Sequence, residues 1–288
     1  MRALVAFCSV TGTTRRVAEH IAEGLESAGV AAVLHDLRDG PPDITAFDIL
    51  GFGFPTHFYR AAMPAEETIT ALGRLDGRSA FLFALYGTYR GSALNHARAT
   101  LRRAGATEIG VFSCLGDDRF LGYTRLGYEF SPDHPTAEEL EAARQFGRGL
   151  VATHAALQEG RMPTPDPVDP RTPLVFALER AAFSPLLVRS VHSRAFRPDP
   201  AVCTRCGRCS RVCPNSNVAW ERHELPTWGR ECMGCFECVA SCPENAIHSA
   251  LDWLVFRPFL AHNVRRAAHD PALEHAQVEL QRGKIVRT

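Results

Sequence analysis

Apolar residues in the first half of the chain come in short runs set between stretches of helical spacing. Ala3–Cys8 is an apolar run that ends in a polar, glycine-containing turn. Val17, Ile21 and Leu25 then recur at helical intervals up to Gly29, predicting a helix over about 13–28. The same reading predicts strands at Val30–His35, Ile49–Phe54, Ser79–Tyr86 and Ile109–Cys114, and helices around 64–73, 91–104 and 137–157. Ile49–Phe54 is continuously apolar, as a strand buried on both faces should be. Thr136 and Glu139 have the spacing of a capping box for the last helix. Five strands alternating with helices predict an α/β domain, a doubly wound five-stranded parallel sheet over residues 1–160.

The rhythm breaks in three places. Residues 116–135 hold three glycines and two prolines after the fifth strand, and so long a loop in a compact domain is usually functional. Its Phe120, Tyr123 and Tyr128 are equally readable as packing residues or as a cover for a ligand. The segment MPTPDPVDPRTP (162–173) has five prolines in twelve residues and reads as a stiff, extended linker. With the short amphipathic helical segment 174–196 it separates the first domain from a cysteine-rich block. The tail, 250–288, shows a helical pattern interrupted by Pro258. Its Trp253, Leu254, Phe256, Phe259 and Leu260 are expected to pack against the preceding domain, without membrane contact.

Composition narrows the class. Hydrophobic residues are 45% and charged residues 22% of 288, the balance of a globular chain rather than a disordered one. No apolar stretch is long enough to span a membrane as a helix, and the opening residues read as a strand rather than a leader. The 32 basic and 32 acidic residues cancel, and the basic ones are too dispersed to indicate nucleic acid. Only Lys284 is a lysine. Five arginines, Arg194, Arg197, Arg205, Arg208 and Arg211, gather near residue 200, either as a solvated face or as a dock for an acidic partner.

Eight of the ten cysteines lie between Cys203 and Cys242. Cys203, Cys206, Cys209, Cys213 and Pro214 form C-x2-C-x2-C-x3-C-P, and Cys232, Cys235, Cys238, Cys242 and Pro243 repeat it without change. Such tight pairing points to metal ligation in a reducing compartment, hence the cytoplasm, rather than to a disulfide framework. The x2 intervals aim three thiolates at one face, and the x3 interval with proline sends the fourth away. Paired zinc sites share the C-x2-C element, but zinc requires no repeated C-P. The pattern resembles the bacterial ferredoxin run, whose fourth cysteine ligates the other cluster. The resemblance implies one [4Fe-4S] cluster on Cys203, Cys206, Cys209 and Cys242, a second on Cys232, Cys235, Cys238 and Cys213, and a small α+β dicluster domain over 197–249. Cys8 and Cys114 fall in expected strands and read as small core residues.

Three loops of the first domain lie at strand carboxyl ends, where open parallel sheets bind ligands. Ser9, Thr11, Gly12, Thr13 and Thr14 open the first helix with hydroxyls and free N–H groups, suited to a terminal phosphate and equally to simple capping. Neither a dinucleotide fingerprint nor a P-loop is present, and Gly51-Phe52-Gly53 lies too far from the first turn to be one. Pro55, Thr56 and Phe58 follow the third strand, and Tyr86, Gly87, Thr88 and Tyr89 follow the fourth. His57, Arg60 and Met63, in or just after the first of these loops, are candidates for substrate contact. With the phosphate loop as its most specific part, residues 1–158 resemble flavodoxin. That resemblance implies FMN, with its phosphate on the first loop and its ring between the other two.

Taken whole, the chain resembles fused flavodoxin–ferredoxin proteins. The resemblance implies an electron carrier that converts between two-electron and one-electron transfer and serves a partner redox enzyme. The alternative is an FMN-dependent reductase of a small acceptor, fed by the clusters, for which the 116–135 segment is the best support. The oligomeric state is not legible.

Overall fold

The computed structural model describes residues 1–167 and 174–288; the second half of the expected linker, 168–173, lies outside the described residues. Strand β1 (Arg2–Phe7), helix α1 (Thr13–Ser27), β2 (Ala31–Asp36), β3 (Ile49–His57), the two-residue β4 (Arg60–Ala61), α2 (Met63–Ala71), β5 (Ser79–Tyr86), α3 (Ala93–Arg103) and β6 (Thr107–Leu115) come in order. The five long strands pair in parallel as β2-β1-β3-β5-β6, and β4 folds back antiparallel on β3. This is the doubly wound sheet expected, with the strand order reversing between β1 and β3.

Helix α1 forms because Val17, Ala18, Ile21, Ala22 and Leu25 make one continuous apolar stripe, and all are buried. It ends where Gly29 takes a positive φ of 83°. The stripe packs on Val5, Phe7, Phe81 and Phe83, together with α5 (Ala137–Gln158). Thr136 and Glu139 close a complete capping box at the start of α5. Two glycines set the spacing of this helix pair. A Cβ on Gly24 would stand 2.0 Å from the Arg144 carbonyl oxygen, and one on Gly147 would stand 2.2 Å from that of Ile21. Within the sheet, Gly51 and Gly53 lie beneath the rings of Phe81 and Phe83, so they serve packing between β3 and β5. Cys8 and Cys114 are buried, and burial pushes the Cys8 thiol up to about 12 and that of Cys114 higher still.

The chain divides into two compact units, and the division departs from the boundary expected near residue 160. The first unit comprises Met1–Gly116 and Asp133–Arg180. It keeps the start of the linker because Asp166 accepts the Val111 N–H at 2.7 Å and Arg98 donates to the Asp166 and Pro167 carbonyls. The second comprises Asp117–Pro132 and Ala181–Thr288. It takes in the loop after β6 because α4 (Leu121–Thr124) and β7 (Tyr128–Phe130) pack and pair with the end of the chain. Phe120 meets Tyr123 and Phe236 edge-on, and Tyr123 meets Phe130, so these aromatics pack within the second unit.

The division falls within α6 (Leu174–Ala182). After it come α7 (Pro185–Leu187), a π-helical turn (Val188–His192), α8 (Ser193–Ala195), β8 (Arg197–Pro198), α9 (Arg208–Arg211), β9 (Val218–Ala219), β10 (Thr227–Trp228), α10 (Glu237–Ala240) and β11 (Ile247–His248). β8 pairs with β11 and β9 with β10.

The tail corrects a further expectation. Pro258 occupies the first turn of α11 (Arg257–Ala268), where its missing N–H costs nothing. Beyond that helix lies a hairpin, β12 (His275–Gln281) and β13 (Lys284–Arg287), with β12 paired to β7. The hairpin turn is Arg282-Gly283, both at positive φ, as a two-residue turn requires. Of the apolar residues expected to pack, Leu260 is buried, whereas Trp253 and Leu254 are exposed at 41% and 74%.

Candidate functional site

Three loops meet along the carboxyl edge of the sheet in the first unit. After β1 the Cys8 N–H donates to the Gly53 carbonyl at 3.0 Å, which brings the first loop beside the end of β3. Ser9 is buried, and its Oγ accepts from the Gly12 and Arg15 N–H groups at 3.1 and 3.3 Å. Its own proton is left to donate. Gly12 sits at φ 93°, where a side chain would be strained, and as the N-cap residue it supplies no side-chain cap, so the Ser9 hydroxyl takes the Arg15 N–H of the first helical turn in its place. The Thr11 and Thr13 hydroxyls lie 3.2 Å apart. The Thr14 Oγ1 is buried without a partner, an unpaired polar atom at the mouth of the helix.

The second loop turns on two successive left-handed residues that are not glycine, Phe58 (φ 49°) and Tyr59 (φ 60°). Strain of this kind gathers at functional sites. The turn is pinned by Thr56 opposite Ala61, His57 opposite Arg60, and the Ala62 N–H donating to the Pro55 carbonyl at 3.1 Å. The Thr56 hydroxyl and His57 Nδ1 are buried without partners, and burial pulls the His57 pKa down to about 4, leaving a neutral ring. In the third loop Thr88 is buried, and the Arg90 guanidinium lies 5.6 Å over the Tyr86 ring and donates to Ser113 Oγ at 2.8 Å. Gly91, at positive φ, lets Tyr59 approach to within 2.6 Å of where its Cβ would stand.

One residue outside these loops joins them. Phe176 of α6 stacks on Tyr59 with ring centroids 4.1 Å apart, and lies 5.5 Å from Tyr89. The amphipathic character of the segment is visible in sequence, but its docking on the aromatic loops is not.

In the second unit Cys203, Cys206, Cys209 and Cys242 line one small hollow with Gly207, Pro226, Pro243 and Ile247. The other four lie near one another: Cys213 acts on Cys232 and Cys238, and Cys232 and Cys238 act on Cys235, while Cys238 also feels Cys209 of the first group. Each group thus takes three thiols from one run and the last thiol of the other. Among the described residues no three His, Cys, Asp or Glu groups close on a point as around a single ion. The two runs repeat in backbone as well as in spacing. Arg205 and Gly234, Gly207 and Phe236, and Ser216 and Asn245 are matching pairs, and all six residues are left-handed. At Gly207 the glycine is required by Trp220, whose ring would stand 2.7 Å from an added Cβ.

A family model of a flavodoxin domain matches residues 4–125, and one of a 4Fe-4S dicluster domain matches residues 196–243. The chain joins a flavodoxin domain to a dicluster ferredoxin domain. The first implies FMN, the second two [4Fe-4S] clusters, and together they assign the chain to electron transfer. Among solved structures, an archaeal flavodoxin is 21% identical over 54% of this chain and 99% of its own, at a TM-score of 0.43. Flavodoxin 1 from Bacillus cereus is 17% identical over 53% and 98%, at 0.41. The flavodiiron protein from Giardia intestinalis is 22% identical over 56% and 38%, at 0.40. No curated protein matches the chain.

The residues present suit these groups. In the flavodoxin domain the unpartnered Thr14 hydroxyl, the donor left on Ser9 and the N-terminal end of α1 form a cradle for an anion. In the dicluster domain, burial pushes the Cys209 and Cys232 thiols to about 11 and that of Cys238 to about 12. Thiols so buried ionise readily only against a metal charge. Backbone N–H groups already point at three sulfurs, from Asn217 to Cys213 at 3.2 Å, Gly234 to Cys232 at 3.4 Å and Ala246 to Cys242 at 3.4 Å. These donors favour the thiolate. The groups differ in exposure, since Cys206 is exposed whereas no cysteine of the second group is. Among the described residues no helix is long and apolar enough to cross a membrane.

Proposed function

We propose that this chain is an electron carrier whose first cysteine group is the port to an acidic redox partner protein. In this reading Ser9, Thr11, Gly12, Thr13 and Thr14 hold the FMN phosphate. Pro55, Thr56, Phe58, Tyr86, Gly87, Thr88 and Tyr89 border its ring. Cys203, Cys206, Cys209 and Cys242 ligate one cluster, and Cys213, Cys232, Cys235 and Cys238 the other. When bound, FMN supplies transfer of electrons in pairs or singly, and each cluster transfer of one at a time. The ten cysteines are free of disulfides, in keeping with a reducing cytoplasm.

The observation that carries the reading is the setting of Cys206. It is exposed, next to exposed Arg205 and near exposed Arg211, whose guanidinium donates to the Cys206 carbonyl at 3.0 Å. Arg194 and Arg197 are exposed as well, and Arg208 lines the same hollow as Cys206. Near the second group the charges are mixed, with Arg189 3.6 Å from Glu231 and Glu237 beside Cys238. Glu244 lines the same hollow, but the arginines outnumber it, and the excess positive charge around the exposed thiol steers an acidic surface toward it. The aromatics of segment 117–132, which the alternative reductase reading relied on, are taken up by packing inside the second unit.

The test uses an acidic plant-type [2Fe-2S] ferredoxin as the oxidant of the reduced holoprotein in stopped-flow. The second-order rate should fall steeply with salt, and Arg205→Glu with Arg211→Glu should lower it about tenfold or more at low ionic strength. A rate indifferent to salt and to charge reversal would dispose of the port. Stepwise photoreduction at several protein concentrations tests the carrier itself. Exchange between flavin and clusters should be independent of concentration, and proportionality to concentration would overturn it.

A further inference from the structure

A cavity of about 200 Å³ lies between β4, α2, α3 and α6 of the first unit, with Arg60, Glu66, His96, Arg103 and Arg180 among its walls. A single water needs about 10–15 Å³ of such free space, so the cavity has room for a group of several heavy atoms. The charges of its walls do not balance. Among the described residues of its walls Glu66 is the single carboxylate, and Arg60 occupies it through a fork at 2.7 and 3.0 Å. Arg60 also donates to the Arg180 carbonyl at 3.5 Å, so its guanidinium is committed.

Arg180 is left without an anion. Its Nη1 faces His96 Nε2 at 2.5 Å. The other ring nitrogen, Nδ1, lies 2.6 Å from the Ser92 carbonyl and must be the N–H that donates there. Nη1 also lies 3.0 Å from Nδ1, so on this side the Arg180 guanidinium meets an imidazole and no carboxylate. Burial and the neighbouring Arg60 charge both disfavour the Arg180 cation, against a partial offset from Glu66. Arg103 stands at the same opening with Thr100 Oγ1 as its partner at 3.0 Å. Three guanidiniums thus face one space with one carboxylate among them, and Arg103 and Arg180 keep N–H groups to give.

We propose that this cavity binds a small oxyanion, a phosphate or carboxylate group, through the Arg180 and Arg103 guanidiniums. The forked donors match the paired oxygens of either group, and such charge-assisted bonds are the strong ones. The ligand ties α6 to α2 and α3. Phe176, on the same helix, is then held on Tyr59 and Tyr89, so the anion braces the aromatic loops from outside the flavin site.

The experiment is titration calorimetry on the holoprotein with FMN and clusters in place, using sodium phosphate and sodium acetate at ionic strength fixed with chloride. At least one of the two should bind, and the tighter one names the source of the oxyanion. Arg180→Gln should weaken that affinity about tenfold, with Arg180→Lys in between because it keeps charge but loses the fork. Flavin and cluster absorbance show that each variant is folded and loaded. Equal affinity in wild type and Arg180→Gln, or no binding of either anion, overturns the proposal. So does phosphate binding confined to FMN-depleted protein, which places the anion on the Ser9–Thr14 loop. No electron transfer is read, so this outcome stands apart from that of the proposed function.

Discussion

The two units of this chain solve the problem of stability in opposite ways. The first buries long elements on one another: a 15-residue and a 22-residue helix pack together over a parallel sheet with Phe7, Phe81 and Phe83 beneath them. The second builds its cysteine-bearing part from strands of two residues and helices of four, and concentrates eight cysteines there. Elements that short cannot hold themselves, and small domains of this kind lean on metal ligation. An apolar core survives the loss of its ligand. A cage of thiols does not.

The strongest way to break the comparison is to remove iron. After oxidation and chelation, residues 197–249 should lose hydrogen-exchange protection completely while β1, β3 and β5 keep theirs; equal loss in both units would show that they share one core. Phe83→Ala attacks the other side. It should cost the first unit about 3–5 kcal/mol in thermal unfolding and leave cluster absorbance unchanged. Gly147→Ala is milder, because the added Cβ must push α5 away from the Ile21 carbonyl, and a loss of about 1–3 kcal/mol is expected.

The smallest effect concerns Asp118 in the second unit. Burial, opposed by the Phe120 N–H and reinforced by Asp117 and Glu129, raises its carboxyl from the ordinary 3.8 to about 6. A raised carboxyl is ionised more readily in the unfolded chain, so it favours folding below 3.8, and that contribution is lost as pH climbs from 3.8 to about 6. Asp118→Asn keeps an oxygen for the Phe120 N–H and should stabilise the second unit by about 1 kcal/mol above that window. An unchanged pH profile of unfolding in the variant would show that Asp118 does not titrate there.

Legibility in the sequence tracks the range of the interactions concerned. The five strands and their helices are readable within a few residues because periodicity and caps act locally. The hairpin at 275–287 has local signals too, an alternating pattern and an Arg-Gly turn, but the preceding helical stretch dominates the tail and hides them. The assignment of 117–132 to the second unit is not legible at all. Nothing in Phe120, or in Tyr128 at the start of β7, says that this strand pairs with a segment at the other end of the chain. The same holds for Phe176 against Tyr59, and for the arginines that α6 and α3 bring around one cavity.

By itself the sequence determined the kinds of chemistry. It did so through thiols at ferredoxin spacing, hydroxyls at the mouth of a helix and an apolar rhythm that admits a parallel sheet, since spacing and side-chain type are properties of short stretches. The ferredoxin spacing also implied the crossing of one thiol between the two runs, whereas tertiary structure decided the exposure of Cys206, the stacking of Phe176 on Tyr59 and the isolation of the Arg180 charge. Each of these depends on residues distant in sequence being brought to one point, and on which of them burial leaves without water or a counter-charge.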